Sequence, residues 1–68
     1  MHKADFDLEL IDAYILDENI AETMTLFYRH NFTLEVVAEC QNVSVSTVKE
    51  RLRQGRQTIK EISSFADN

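Results

Sequence analysis

The clearest structural pattern in the chain lies in Thr33-Leu-Glu-Val-Val-Ala-Glu-Cys-Gln-Asn-Val-Ser-Val-Ser-Thr-Val-Lys-Glu-Arg-Leu-Arg53. Thr33 is suited to cap a helix, which we place at 34–41, and Asn42 tolerates the positive φ of a sharp turn after it. A second helix with a basic face follows the turn. This order predicts a helix-turn-helix, the motif that lays one helix in the major groove of DNA.

The helix after the turn has two distinct faces. We place it at 46–63, capped by Ser44 or Ser46. Steps of three and four residues put one set of side chains on an apolar face and another on a basic face beside it. The apolar set is Val45, Val48, Leu52, Gly55, Ile59 and Ile62, and the basic set is Lys49, Arg53, Arg56 and Lys60. Gly55 in the apolar set predicts a close approach by another helix.

Upstream of residue 33, the apolar residues indicate two more helices. An irregular apolar stripe places the first at 5–16. Asp17-Glu18-Asn19 interrupts it and supplies a new cap, so we place the second at 20–30, ended by Asn31 in a left-handed conformation. In the helix at 34–41, the inward residues are predicted to be Leu34, Val37, Ala38 and either Cys40 or Gln41.

Composition supports one small helical domain. The 68 residues are 44% hydrophobic and 28% charged, with no proline and one glycine, which favours helices over a turn-rich β fold. No apolar run reaches the roughly 18 residues of a membrane span, and a single cysteine fits a cytoplasmic protein. We predict an all-α, four-helix domain over 1–68, with an acidic helical part at 1–32 and the helix-turn-helix at 33–63.

The net charge of −5 is unevenly distributed along the chain. Residues 1–32 contain seven acidic and two basic residues, whereas residues 46–60 contain five basic residues and only Glu50 as an acid. An acidic part beside a basic helix indicates two surfaces with different partners. The alternative is that both are solvated faces, with the bases paired to Glu50 or Glu61.

These residues resemble region 4 of bacterial sigma-70-type sigma factors, especially the extracytoplasmic-function group. The resemblance covers about residues 8–62 and rests on Thr33-Leu-Glu-x-Val-Ala-Glu-x-x-Asn-Val-Ser-Val-Ser-Thr-Val-Lys-x-Arg-Leu-x-x-Gly-Arg-Gln, preceded by Glu22-Thr-Met-Thr-Leu-Phe-Tyr-Arg-His-Asn. It implies reading of the promoter −35 element and docking on the flap of the RNA polymerase β subunit. A complete sigma factor also needs region 2, for which this chain has no room, so we expect a fragment or a small stand-alone regulator.

The resemblance also implies which side chains face DNA. Those carried over by position are Ser46, Thr47, Lys49, Glu50, Arg53 and Gln54, and the basic face adds Arg56 and Lys60. Lysine and arginine suit phosphates or guanine edges, Glu50 can accept from cytosine N4, and Gln54 can pair with adenine. Arg51 lies off the basic face, where it makes either a phosphate contact or an internal salt bridge.

Nothing in the sequence indicates catalysis or a cofactor. His2, His30 and Cys40 are the only soft metal ligands, and their spacing fits no zinc pattern. There is no phosphate-binding loop and no nucleophile elbow. We expect neither an enzyme nor a metal site, and Cys40 to be a small buried hydrophobe.

Three functional hypotheses follow. The leading one is a DNA-binding transcription regulator, whose acidic N-terminal helices meet RNA polymerase or a sigma-binding protein. The second is a protein-interaction module with the same fold that binds polymerase or such a partner without reading DNA. The third is a homodimeric helix-turn-helix repressor, in which two copies of the chain would bind the two halves of a palindromic site.

Overall fold

The computed structural model describes residues 6–66, with side chains described for residues 6–62. This part contains helices and no β-strand, which confirms the predicted all-α class. In chain order the elements are α1 (Glu9–Tyr14), α2 (Glu18–Met24), a π-helical turn that continues α2 (Thr25–Arg29), α3 (Leu34–Gln41) and α4 (Val45–Ala66). The three shorter helices all pack against α4. None of the helices within residues 6–66 has the length and apolar character that a bilayer span requires.

α1 is shorter than the helix predicted at 5–16. The Asp7 carboxylate accepts a hydrogen bond from the Glu9 backbone N–H at 3.0 Å, and the helix begins at that residue. It ends at Tyr14 because Ile15 is extended, with φ −88° and ψ 104°, and its side chain is buried in the core. The predicted bounds are therefore too wide, and residue 5 lies outside the described residues.

α2 begins two residues before the helix predicted at 20–30. The Asp17 carboxylate accepts hydrogen bonds from the backbone N–H groups of Asn19, at 2.9 Å, and Ile20, at 3.1 Å. These N–H groups lie in the first turn, where no helical carbonyl can accept from them. The predicted interruption and cap are confirmed, and the capping residue is Asp17.

The carboxyl end of this second helix is a wider, π-helical turn, Thr25–Arg29, which the periodicity did not predict. The His30 N–H donates to the Thr25 carbonyl, five residues back, at 3.2 Å. Asn31 follows with φ 57°, which confirms the predicted left-handed residue. The turn buries Tyr28 in the core.

Arg29, at the end of the π-helical turn, fastens α1 to the rest of the domain. Its Nη2 donates to the Leu8 carbonyl at 3.0 Å and to the Asp12 carboxylate at 3.2 Å. One guanidinium therefore holds the start and the middle of a helix that is only six residues long.

Both helices of the helix-turn-helix begin at hydroxyl caps. Thr33 Oγ1 accepts from the Val36 N–H at 3.2 Å, and α3 has its predicted bounds. Ser44 Oγ accepts from the Thr47 N–H at 3.1 Å, so Ser44 is the cap of α4 and the helix starts one residue before the predicted 46. It also runs beyond the predicted residue 63 to Ala66, since no glycine or proline interrupts it there.

The turn between α3 and α4 is fixed by Asn42, whose φ of 56° and ψ of 46° confirm the predicted left-handed residue. The Asn42 N–H donates to the Glu39 carbonyl at 3.2 Å, and the Val43 N–H donates to the Ala38 carbonyl at 3.0 Å. These two bonds form a Schellman motif, which satisfies carbonyls at the helix end. Val43 packs against the core, next to α3.

The core joins all four helices. Its buried apolar side chains are Ile11, Ile15, Met24, Tyr28, Val37, Ala38, Val48, Leu52 and Ile59. Gly55 is also buried, and a methyl group added to it would overlap the Met24 sulfur and lie 3.1 Å from Ile20 Cγ2. The predicted close approach is confirmed, and the approaching helix is α2.

One expectation for α3 is wrong. Cys40 is exposed rather than buried, because the inward position at the end of α3 is taken by Gln41. Gln41 is half-buried and makes hydrogen bonds to α2 and α4. The helix end therefore contacts the domain through an amide and not through a thiol.

Candidate nucleic-acid interface

α4 presents four cations along one edge, which we call the basic edge: Lys49, Arg53, Arg56 and Lys60. All four side chains are exposed, whereas the apolar face beside them is buried at Val48, Leu52 and Ile59. The predicted separation of an apolar and a basic face is confirmed. A helix held on one side and cationic on the next can approach a polyanion without losing its packing.

The members of the basic edge differ in their bonding. Within residues 6–62, Lys49 and Lys60 make no hydrogen bond or ion pair, so their ammonium groups are open to solvent. Arg56 Nη1 donates to the Tyr28 hydroxyl at 3.3 Å. That partner is neutral, so it orients the guanidinium towards the π-helical turn while its charge stays uncompensated.

Arg53 is paired with Glu50, one turn earlier on the same helix. Arg53 Nε lies 2.8 and 3.0 Å from the two Glu50 carboxylate oxygens, and Nη2 lies 2.8 Å from Oε1. The hydrogen bond from Arg53 lowers the pKa of the Glu50 carboxyl from its ordinary value, against an opposing effect of desolvation, and the same bond raises the pKa of Arg53. Glu50 is therefore ionised at neutral pH and compensates one charge of the basic edge.

The other side of α4 borders an open cleft of about 310 Å³. The residues of α4 that line it, which we call the cleft edge, are Thr47, Glu50, Arg51 and Gln54. Asp17, Asn19 and Ile20 at the start of α2 form the opposite wall. The predicted DNA-facing residues are thus divided between the basic edge and the cleft edge of α4. Ser46 belongs to neither edge and is exposed in the first turn of α4.

Arg51 does not make the internal salt bridge considered from the sequence. Its Nη1 donates to the Gln41 Oε1 at 3.2 Å, so the partner is a neutral amide. Arg51 is half-buried, and this bond directs its guanidinium towards α3. Arg51 is therefore a structural link between α4 and α3, separate from the basic edge.

Gln41 is the centre of a polar network that the sequence did not reveal. Its Oε1 lies 2.6 Å from the hydroxyl of Thr23, which is fully buried, and its Nε2 donates to the Asn19 carbonyl at 3.2 Å and to the Glu22 carboxylate at 3.0 Å. With the bond from Arg51, this amide connects α2, α3 and α4. The available signal was a glutamine at an inward position of α3.

In the first turn of α4, the hydroxyl of Thr47 is bonded to the capping residue Ser44. Thr47 Oγ1 lies 3.0 Å from the Ser44 Oγ, and the Thr47 N–H donates to that same oxygen. Ser46, between them, is exposed. The cap therefore satisfies one of the free N–H groups at this helix end.

α3 is unlike α4 in charge. The segment Leu34–Gln41 contains Glu35 and Glu39, both exposed, and no lysine or arginine. In a helix-turn-helix the first helix crosses the DNA backbone, where carboxylates are repelled by phosphates. Of these two helices, only α4 therefore carries cations that could attract a polyanion.

Among the described residues, no group of three or more histidine, cysteine, aspartate or glutamate side chains is placed to hold a metal ion. Comparisons with protein families, with curated proteins and with solved structures found no match for this chain.

Proposed function

We propose that this chain is a DNA-binding transcription regulator that uses its α3–α4 unit as a helix-turn-helix, in the manner of sigma factor region 4. α4 would lie in the major groove, with the basic edge on phosphates and the cleft edge towards base edges. The acidic α1 and α2 would meet RNA polymerase or a partner protein. The proposal rests on the resemblance and on the geometry of α4.

The observation that carries the proposal is the basic edge itself. It lies on the second helix of a capped pair whose turn is closed by Asn42, the arrangement that presents a helix to a groove. Lys49 and Lys60 are open to solvent, and Arg56 keeps its charge, so at least three cations can contact phosphates without breaking an ion pair.

The first experiment is selection of sequences from a pool of random duplex DNA at low salt. We expect an enriched motif, and affinity for it that falls steeply as salt is added. A Lys49→Ala, Lys60→Ala double variant should reduce the slope of log affinity against log salt by about 1.8, because both lysines are exposed and each lost phosphate contact removes about 0.9. Lys3→Ala, which removes a cation outside α4 in the sequence, is the control and should change the slope much less.

A second candidate function is supported by specific charges. The Glu50–Arg53 pair and the absence of any cation in α3 both weaken attraction to DNA. They favour a protein-interaction module that keeps this fold and binds polymerase or a sigma-binding partner. Retention by RNA polymerase core, with no DNA bound even at low salt, would establish this function in place of the first.

A further inference from the structure

The Glu50–Arg53 pair has a consequence for selectivity. Three contacts of 2.8–3.0 Å tie the guanidinium to the carboxylate, although both side chains are solvent-accessible, at 62% for Arg53 and 47% for Glu50. Arg53 cannot turn fully to a phosphate without giving up these contacts. The separated carboxylate would then be an uncompensated negative charge inside a DNA groove.

The surroundings of Glu50 offer little replacement for Arg53. On the cleft edge, Gln54 offers Glu50 a hydrogen bond that also lowers its pKa, but this amide is neutral and adds no positive charge, and Arg51 is already bonded to Gln41. The opposite wall of the cleft contains Asp17, another carboxylate. A further hydrogen-bond donor that takes the place of Arg53 beside Glu50 must therefore come from the DNA.

We propose that Glu50 is a specificity-determining residue that works by opposing contact with non-cognate DNA. On an arbitrary sequence there are two alternatives. Arg53 stays paired with Glu50 and contributes no phosphate contact, or Arg53 binds a phosphate and leaves the Glu50 carboxylate unpaired and repelled by the phosphates. On a cognate sequence, an exocyclic amino group in the major groove, such as that of cytosine, donates to Glu50 and releases Arg53. Glu50 thus lowers non-cognate affinity more than cognate affinity. This inference rests on the proposed DNA-binding function.

The test compares the wild-type chain with Glu50→Gln on two duplexes. One contains the motif selected by the wild-type chain, and the other is a scrambled duplex of the same composition. For Glu50→Gln we expect the scrambled duplex to bind roughly three- to tenfold more tightly, with a salt slope steeper by about one unit, because Arg53 becomes free for a phosphate. Affinity for the motif should not rise, so the ratio of the two affinities falls.

Two control variants separate this effect from a general change in charge. Glu61→Gln removes an exposed carboxylate from the same helix, whose partner is Gln57 and not a cation. It should leave the ratio of affinities unchanged. Glu50→Asp keeps the charge and should bind the scrambled duplex as weakly as the wild-type chain does.

The outcomes distinguish this inference from the proposed function. If both proteins bind DNA and Glu50→Gln strengthens binding to the two duplexes by the same factor, Glu50 is only one negative charge among others and the inference is overturned. If neither the wild-type chain nor Glu50→Gln binds any duplex at low salt, the DNA-binding function itself fails. A lower ratio for Glu50→Gln, with the ratio unchanged for Glu61→Gln, supports the inference.

Discussion

The helix-turn-helix and the amino-terminal helices are held in place by different kinds of contact. α3 and α4 are set by caps and turn bonds between residues that are neighbours in sequence, at Thr33, Asn42 and Ser44. α1 and α2 are placed by polar contacts that span 17 residues, from Arg29 to Asp12, and 19 residues, from Gln41 to Glu22. The shape of the first unit is therefore encoded locally, whereas the position of the second depends on the completed fold.

The largest expected effect comes from removing the apolar anchor of α1. Ile11 is fully buried, so Ile11→Ala should lower the free energy of unfolding by about 2–5 kcal/mol, measured by urea titration. Leu16→Ala, just after the end of α1, is the control because Leu16 is 92% exposed, and it should change stability by less than about 0.5 kcal/mol. Equal losses in the two variants would show that α1 is not anchored through the core.

A smaller loss is expected from the polar network between the two units. Gln41→Ala removes the amide that accepts from Arg51 and donates to α2, and should cost about 1–3 kcal/mol of unfolding free energy. Cys40→Ala, at the exposed neighbouring position, should cost less than about 0.5 kcal/mol. A Thr23→Val change should cost less in the Gln41→Ala background than in the wild-type chain. Fully additive losses would contradict a shared network.

The smallest of these effects concerns the turn inside the helix-turn-helix. Asn42→Ala places a side chain that disfavours positive φ at a residue with φ 56°, and should cost about 1 kcal/mol. Asn42→Gly should keep or slightly raise the midpoint of thermal unfolding, because glycine adopts this conformation readily. If both variants lose stability equally, the asparagine side chain matters more than the backbone geometry.

The same contrast explains which features could be predicted from sequence. The bounds of α3, the left-handed Asn42 and the close approach at Gly55 follow from local patterns, and the structure confirms them. The early end of α1 depends on Ile15 turning into a core assembled by other helices. Local periodicity contains no information on such distant contacts.

The candidate interface shows a similar division. The basic edge follows from steps of three and four along α4, as predicted. The spacing of Glu50 and Arg53 permits pairing, but sequence alone did not decide which of the neighbouring cations Glu50 would bind. The sequence left open whether Arg51 contacts a phosphate or another residue of the domain. Its partner is Gln41, which lies on another helix, so only the folded structure reveals this contact.

The crossing of α2 and α4 at Gly55 also has a consequence for the order of folding. Contact between Met24 and Gly55 closes a loop of roughly thirty residues, whereas the Asn42 turn joins helices that are adjacent in the chain. Loop closure of that length opposes early docking, so we expect the α3–α4 hairpin to form in the transition state and α2 to dock afterwards. The part of the chain that carries the basic edge would then be the first to take its final shape.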